Sequence, residues 1–254
     1  MGKPHLLILG GTGDARQLAE RLSARDDLRI TLSLAGRTKM PLPQAVRTRV
    51  GGFGGVDGLA EYVRADHVDL LVDATHPFAA RISANVFVVA QATDTPLIVL
   101  DRPAWEKAES YQWIEVDDVA AAAMALGDEP RTVFLTIGRQ ELAPFADHPQ
   151  HRYVVRSVDP AAVTLPNSTV ILDRGPFDAE AEEALMRKHG VEIVVSKNSG
   201  GNATYGKILA ARRLHLPVIM VKRPRPSGAQ TVGSIAAVED WIDAHVAAFT
   251  ERGA

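Results

Sequence analysis

The chain has 254 residues, room for one large domain or two of ordinary size, and 46% hydrophobic against 23% charged residues is a globular composition. A net charge of −3 speaks against general nucleic-acid binding, and the lack of cysteine removes disulfides, thiolate zinc sites and thiol nucleophiles. No apolar run reaches membrane-spanning length, position 6 is Leu where a myristoylation signal needs Ser or Thr, and the start runs straight into a core strand; a cytoplasmic protein without a membrane partner is expected.

Residues 6–9 (LLIL) form an apolar run of the kind a strand buried on both faces needs. Gly10, Gly11, Thr12, Gly13 and Asp14 follow, and Ala15, Leu18, Ala19 and Leu22 then recur at helical spacing. Strand, glycine turn and helix in this order aim backbone N–H groups and the positive end of a helix dipole at one point, which suits a pyrophosphate. Arg16 stands where a third small residue is wanted, unless Ala15 fills that role. A tight connection without a ligand is the plainer alternative.

Residues 29–35 read as the second strand. It ends without the acidic residue that binds the ribose 2′-hydroxyl of NAD, and Arg37 and Lys39 follow instead, which fits the 2′-phosphate of NADP. Residues 46–50 form a third strand, followed by a loop in which Gly52 gives backbone freedom and Phe53 offers a flat face or a core anchor. A helix over 59–65 leads to strand 68–73, which runs into Thr75, His76, Pro77 and Phe78 at the same predicted edge; His76 is a candidate proton donor or a hydrogen-bonding partner of backbone or cofactor. A helix over 79–91, strands 97–100 and 113–116, and an Ala-rich helix over 119–126 complete the first half.

The pattern restarts at strand 132–136. Strands 152–157, 169–173, 191–196 and 218–221 follow, with helices over 179–189 and 205–214, then a short strand at 231–232 and a helix over 235–249. The halves align at offsets of 121 to 126: VDLLV at 68 on VEIVV at 191, and PLIVLDRP at 96 on PVIMVKRP at 217. The expected fold is therefore α/β, with two Rossmann-like doubly wound parallel-sheet domains related by an internal repeat, divided as 1–128 and 129–254.

Ligands of such sheets sit outside the carboxyl ends of the strands. In the second half those ends carry Arg139, Arg156, Arg174, Lys197 and Arg223, with Asn198, Ser199, Gly200 and Gly201 leading toward a helix. This half lacks the glycine fingerprint and looks built for a substrate with several negative charges; the plainer alternatives are a structural pair for Arg156 and cations that are simply exposed at strand ends. His148 and His151 lie on a Pro-containing loop without an acidic cluster, so no metal site is expected, and Ser199 has no histidine partner for a hydrolase triad.

Taken together, GGTGDARQLA, VGGFGG, DATHPFA, GRQEL, RGPF, SKNSGGNATYGKI and LPVIMVKRP resemble the precorrin-6A reductase family of cobalamin biosynthesis over essentially the whole chain. The resemblance implies NADPH-dependent reduction of a ring carbon–carbon double bond of a macrocyclic tetrapyrrole, giving precorrin-6B. Its acetate and propionate carboxylates suit the cations of the second half, and its flatness suits a cleft between two domains. No catalytic acid is singled out. A cobalt-bearing substrate and a non-catalytic NADP-sensing regulator are the alternatives. A sugar-nucleotide reductase of the short-chain type is disfavoured, because no tyrosine has Lys four residues on.

Overall fold

The structure is a computed structural model and describes residues 2–36, 43–109, 111–159, 165–224 and 228–251. In chain order the strands are β1 (His5–Leu9), β2 (Arg29–Leu34), β3 (Arg47–Val50), β4 (Leu70–Asp73), β5 (Leu97–Leu100), β6 (Trp113–Val116), β7 (Thr132–Leu135), β8 (Arg152–Ser157), β9 (Ser168–Leu172), β10 (Ile193–Lys197), β11 (Val218–Val221) and β12 (Gln230–Val232). The α-helices are α1 (Gly13–Leu22), α2 (Val56–Ala65), α3 (Ala80–Thr93), α4 (Val119–Met124), α5 (Ala179–His189), α6 (Gly206–Arg213) and α7 (Ile235–Glu251). Two 3₁₀ turns, Arg139–Glu141 and Ala143–Asp147, occupy a stretch without periodicity.

The strands form two six-stranded sheets, in the orders β12-β5-β4-β1-β2-β3 and β6-β11-β10-β7-β8-β9. Every recorded pairing is parallel. The first order is the doubly wound 3-2-1-4-5-6 pattern, and the second matches it in five strands, with β6, which precedes β7 in the chain, in the sixth place. The halves thus follow one plan, as the sequence offsets predict.

The chain divides into Met1–Pro103 with Pro224–Ala254, and Ala104–Arg223. A single cut after residue 128 is therefore incorrect. β6 follows β5 in sequence but pairs with β11, while β12 follows β11 but pairs with β5. Each sheet thus takes its sixth strand from the other half of the sequence. A strand of three or four residues carries too little pattern to declare its sheet, so the exchange is invisible until the pairing is seen.

In the first unit, β1 shows why a continuous apolar run is needed. Leu6 and Ile8 pack with Leu18 and Leu22 of α1 and Val238 and Ile242 of α7. Leu7 and Leu9 face the other way, onto Leu59 and Val63 of α2 and Val86 and Val89 of α3. Both faces are buried, and each such leucine contributes about 1.5–3 kcal/mol of transfer free energy. In the second unit Phe134, Val154 and Val194 play the equivalent part against Met186 of α5 and Ile208 of α6. Among the described residues no helix is long and apolar enough to cross a membrane.

Candidate functional site

In the first unit the chain winds from β1 to β2 and β3 and then returns to place β4 on the far side of β1. The loops after β1 and β4 therefore flank the switch point, where ligands of such sheets bind. Thr12 joins them. Its hydroxyl accepts the Ala15 N–H at 3.0 Å, capping α1, and donates to the Ala74 carbonyl at 2.8 Å. The N–H groups of Gly11, Gly13 and Asp14 donate to no acceptor among the described residues. They stand at the positive end of α1.

The glycines of the turn act for separate reasons. A Cβ on Gly10 would lie 2.6 Å from Leu32 Cδ1 and 3.2 Å from Ala15 Cβ, so its hydrogen lets α1 approach the sheet. Gly11 has φ +116°, a conformation other residues rarely adopt. A Cβ on Gly13 would have nothing within 4 Å, so the space in front of it is open. Ala15, buried beside Gly10, takes the third small position, and Arg16 turns outward to pair with Glu20 at 3.8 Å.

After β4, the buried Asp73 accepts the Thr75 N–H at 3.0 Å and the Thr75 hydroxyl at 2.6 Å. His76 Nδ1 accepts the Phe78 N–H at 3.2 Å, which leaves Nε2 to carry the ring proton. After β3, Arg49 donates to the carbonyls of Gly51 at 2.6 Å and Gly52 at 2.8 Å, and its guanidinium lies 3.7 Å from the centroid of Phe53. The edge of Tyr62 meets the same ring at 5.3 Å. Phe53 is thereby held as an anchor of its own loop.

A cavity of about 660 Å³ lined by Lys3, Arg29, His67 and Phe249 opens at the amino-terminal ends of β1 and β2. It lies at the edge opposite the glycine turn.

In the second unit β7 and β10 flank the equivalent switch point. The Thr136 hydroxyl donates to the Val195 carbonyl at 2.9 Å, and Lys197 forms an ion pair with Glu141. The loop beyond Lys197 is fastened by Trp105. The Trp105 N–H donates to Asn198 Oδ1 at 2.8 Å, Asn198 Nδ2 donates to the Trp105 carbonyl at 2.9 Å, and the indole N–H donates to the Gly201 carbonyl at 2.8 Å. Arg223 Nε reaches the Asn198 carbonyl at 2.8 Å. Gly200 and Gly201 have φ of +65° and +70°, which lets the loop close back on itself.

The family model described as Precorrin-6x reductase CbiJ/CobK matches residues 5–243. The chain belongs to this family. A relative from Sinorhizobium sp, named precorrin-6A reductase, is 54% identical over 236 residues, 92% of this chain and 90% of its own length. Another of that name from Rhodococcus erythropolis is 46% identical over 239 residues, 93% of this chain and 96% of its own. A solved structure titled CobK precorrin-6A reductase is similar with a TM-score of 0.91 and 40% identity, covering 95% of this chain and 97% of that one.

In this precorrin-6x reductase the residues expected to bind a cofactor fall after β1, β3 and β4, on one edge of the first sheet. Arg37 and Lys39 lie outside the described residues. The residues expected to bind substrate fall at or just after the carboxyl ends of β7, β9, β10 and β11 of the second sheet, with Lys197 the last residue of β10. They are not alike. Arg174 is exposed, whereas Asn198 is buried with both ends of its amide engaged by Trp105, which makes it a brace for the loop. Arg156 is buried against Glu182 and lies 3.6 Å from the Phe177 ring centroid, the structural pair its position suggests.

Four residues of this reductase escape sequence reasoning: Arg49, Arg102, Trp105 and Glu141. Arg102 follows β5 and pairs with Asp14 at 2.5 Å, beside the free N–H groups of α1. Its signal was the repeat, since Arg102 and Arg223 hold the same place in DRP and KRP.

Proposed function

We propose that this reductase transfers a hydride from NADPH to a ring carbon–carbon double bond of precorrin-6A, giving precorrin-6B. The observation that carries the cofactor assignment is the group of N–H donors on Gly11, Gly13 and Asp14, with open space in front of Gly13 at the switch point. A pyrophosphate meets those donors and the α1 dipole without displacing a protein hydrogen bond. Arg102, held by Asp14, adds a cation at the same place. Arg37 and Lys39 supply the charge that selects a 2′-phosphate over a free hydroxyl.

The nicotinamide supplies the hydride, and the protein supplies binding, orientation and electrostatics. In the first unit Thr12 ties the phosphate turn to the loop after β4, so Thr75 and His76 are fixed relative to the cofactor. In the second unit Arg139, Arg174, Lys197 and Arg223 meet substrate carboxylates, while Ser199, Gly200 and Gly201 present a shaped backbone. Trp105 and Asn198 keep that backbone from collapsing. The reduction adds one hydride and one proton across the double bond.

Relatives 38–54% identical are named precorrin-6A reductase and those 27–29% identical cobalt-precorrin-6A reductase, so the higher similarity favours the metal-free substrate. The test is anaerobic incubation of the purified chain with precorrin-6A and NADPH, followed by absorption. NADPH oxidation coupled to a change in the tetrapyrrole spectrum is expected. Oxidation with the cobalt-bearing substrate alone would reassign the substrate, and none with either would refute the reading.

A further inference from the structure

Lys207 is an oddly placed lysine. It lies in the first turn of α6, where the helix dipole opposes a cation, and it is only 4% exposed. Its Nζ donates to the Thr204 carbonyl at 2.8 Å and lies 4.9 Å from the Trp105 ring centroid. Thr204 closes the loop that begins at Asn198, and its hydroxyl is 3.4 Å from that of Ser199. Lys207 therefore sits directly beneath the loop assigned to substrate carboxylates.

The groups around it do not neutralise it. From α5 comes Glu182, 2% exposed, but Arg156 from β8 already pairs with one of its oxygens. Asp178, just before α5, caps that helix by accepting the Ala181 N–H at 2.8 Å. Tyr205, its phenol pushed up to about 12 mainly by burial, is neutral and bonded to the Tyr111 hydroxyl at 2.8 Å. Lys107, on the segment that carries Trp105, donates to the Trp113 carbonyl at 3.0 Å. Two cations and one carboxylate thus lie buried together.

We propose that Lys207 fastens the 198–204 loop from beneath and that substrate carboxylates bound on that loop draw a proton onto it. Burial, together with the Arg156 charge, lowers Lys207 to about 7 despite Glu182, so near neutrality the free protein holds both amine and ammonium. Either form donates to Thr204, so the anchor persists. An anion bound above favours the ammonium and raises its pKa. Substrate affinity is then fully developed below the free value, falls as pH rises through it, and levels off above the bound value. This inference rests on the reading that the loop holds substrate.

The experiment is calorimetric titration of the full chain with precorrin-6A, anaerobically, in two buffers of different ionisation enthalpy across neutral pH. Proton uptake on binding is expected, with affinity falling by at most about tenfold per pH unit. Lys207→Arg keeps a permanent charge and should bind without proton uptake and without the pH slope. Lys207→Met should bind more weakly at low pH and lose the slope, with NADPH affinity unchanged in both. Binding without proton uptake, or an unchanged slope in Lys207→Arg, would overturn the proposal alone. Absence of binding to the parent chain at any pH would overturn the substrate reading and the proposal with it.

Discussion

The glycine turn separates folding from cofactor binding, because its three glycines are required for different reasons. Alanine at Gly10 places a methyl carbon 2.6 Å from Leu32 Cδ1, between α1 and the sheet. Such overpacking costs about 1–3 kcal/mol of stability. Alanine at Gly11 must adopt φ +116°, and holding a non-glycine residue in so sparsely populated a region costs about 1–3 kcal/mol. Alanine at Gly13 meets nothing within 4 Å and replaces the first residue of a helix, so stability should hold or rise by up to about 1 kcal/mol. Its methyl group projects into the open space proposed to take the pyrophosphate, however, and on that proposal NADPH affinity should fall at least tenfold, roughly 1.4 kcal/mol. Urea unfolding followed by circular dichroism gives the stabilities, and fluorescence titration gives the affinities. A Gly13→Ala variant with normal NADPH affinity, or a Gly10→Ala variant as stable as the parent, would refute the reasoning.

His151 is fully buried against His148 and Tyr153, and burial lowers its pKa below the ordinary histidine value. The unfolded chain therefore binds the proton first, so stability should decline as pH falls below about 6.5 and stop declining once the folded-state value is passed; His151→Phe should flatten that limb of a urea-midpoint profile, and an unchanged limb would assign it to other groups. If Arg37 pairs with the 2′-phosphate, Arg37→Ala should raise the Michaelis constant for NADPH about ten- to a hundredfold and leave that for NADH nearly unchanged, the cost of one charge-assisted hydrogen bond; equal losses with both would place Arg37 elsewhere. Single alanine substitutions at Arg139, Arg174, Lys197 and Arg223 should weaken precorrin-6A binding modestly and paired ones much more, with NADPH affinity untouched and parent affinity falling as salt rises. Loss of NADPH binding in Lys197→Ala would show that the units are assigned the wrong way round at that loop.

Much of the fold was legible because both halves repeat one strand–helix pattern, and β1, β4, β7 and β10 are apolar enough to declare themselves buried on both faces. The sheet membership of β6 and β12 was not legible, since pairing of such short strands is decided by neighbours distant in sequence. At the candidate site, the strand–turn–helix arrangement around Gly10 to Asp14 could be read from the local sequence alone. The bracing of the 198–204 loop could not, because Trp105 lies 93 residues from Asn198 and its partners include main-chain atoms, which carry no sequence signature. Phe53 shows the opposite limit. An aromatic in a glycine loop invites a stacking role, yet Arg49 and Tyr62 already hold the ring. A Cβ on Gly58 would lie 1.8 Å from the Phe53 carbonyl oxygen, so that loop is shaped by backbone approach.

The central claim is direct hydride transfer from NADPH to a tetrapyrrole carbon. It is tested most directly with NADPH carrying deuterium at the transferable position of nicotinamide, precorrin-6A and the purified chain under anaerobic conditions, with mass spectrometry of the pigment. One deuterium retained in the reduced tetrapyrrole, from one of the two nicotinamide faces only, is the predicted result. A reduced product without deuterium from either face, or NADPH oxidised while the tetrapyrrole stays unchanged, would contradict it.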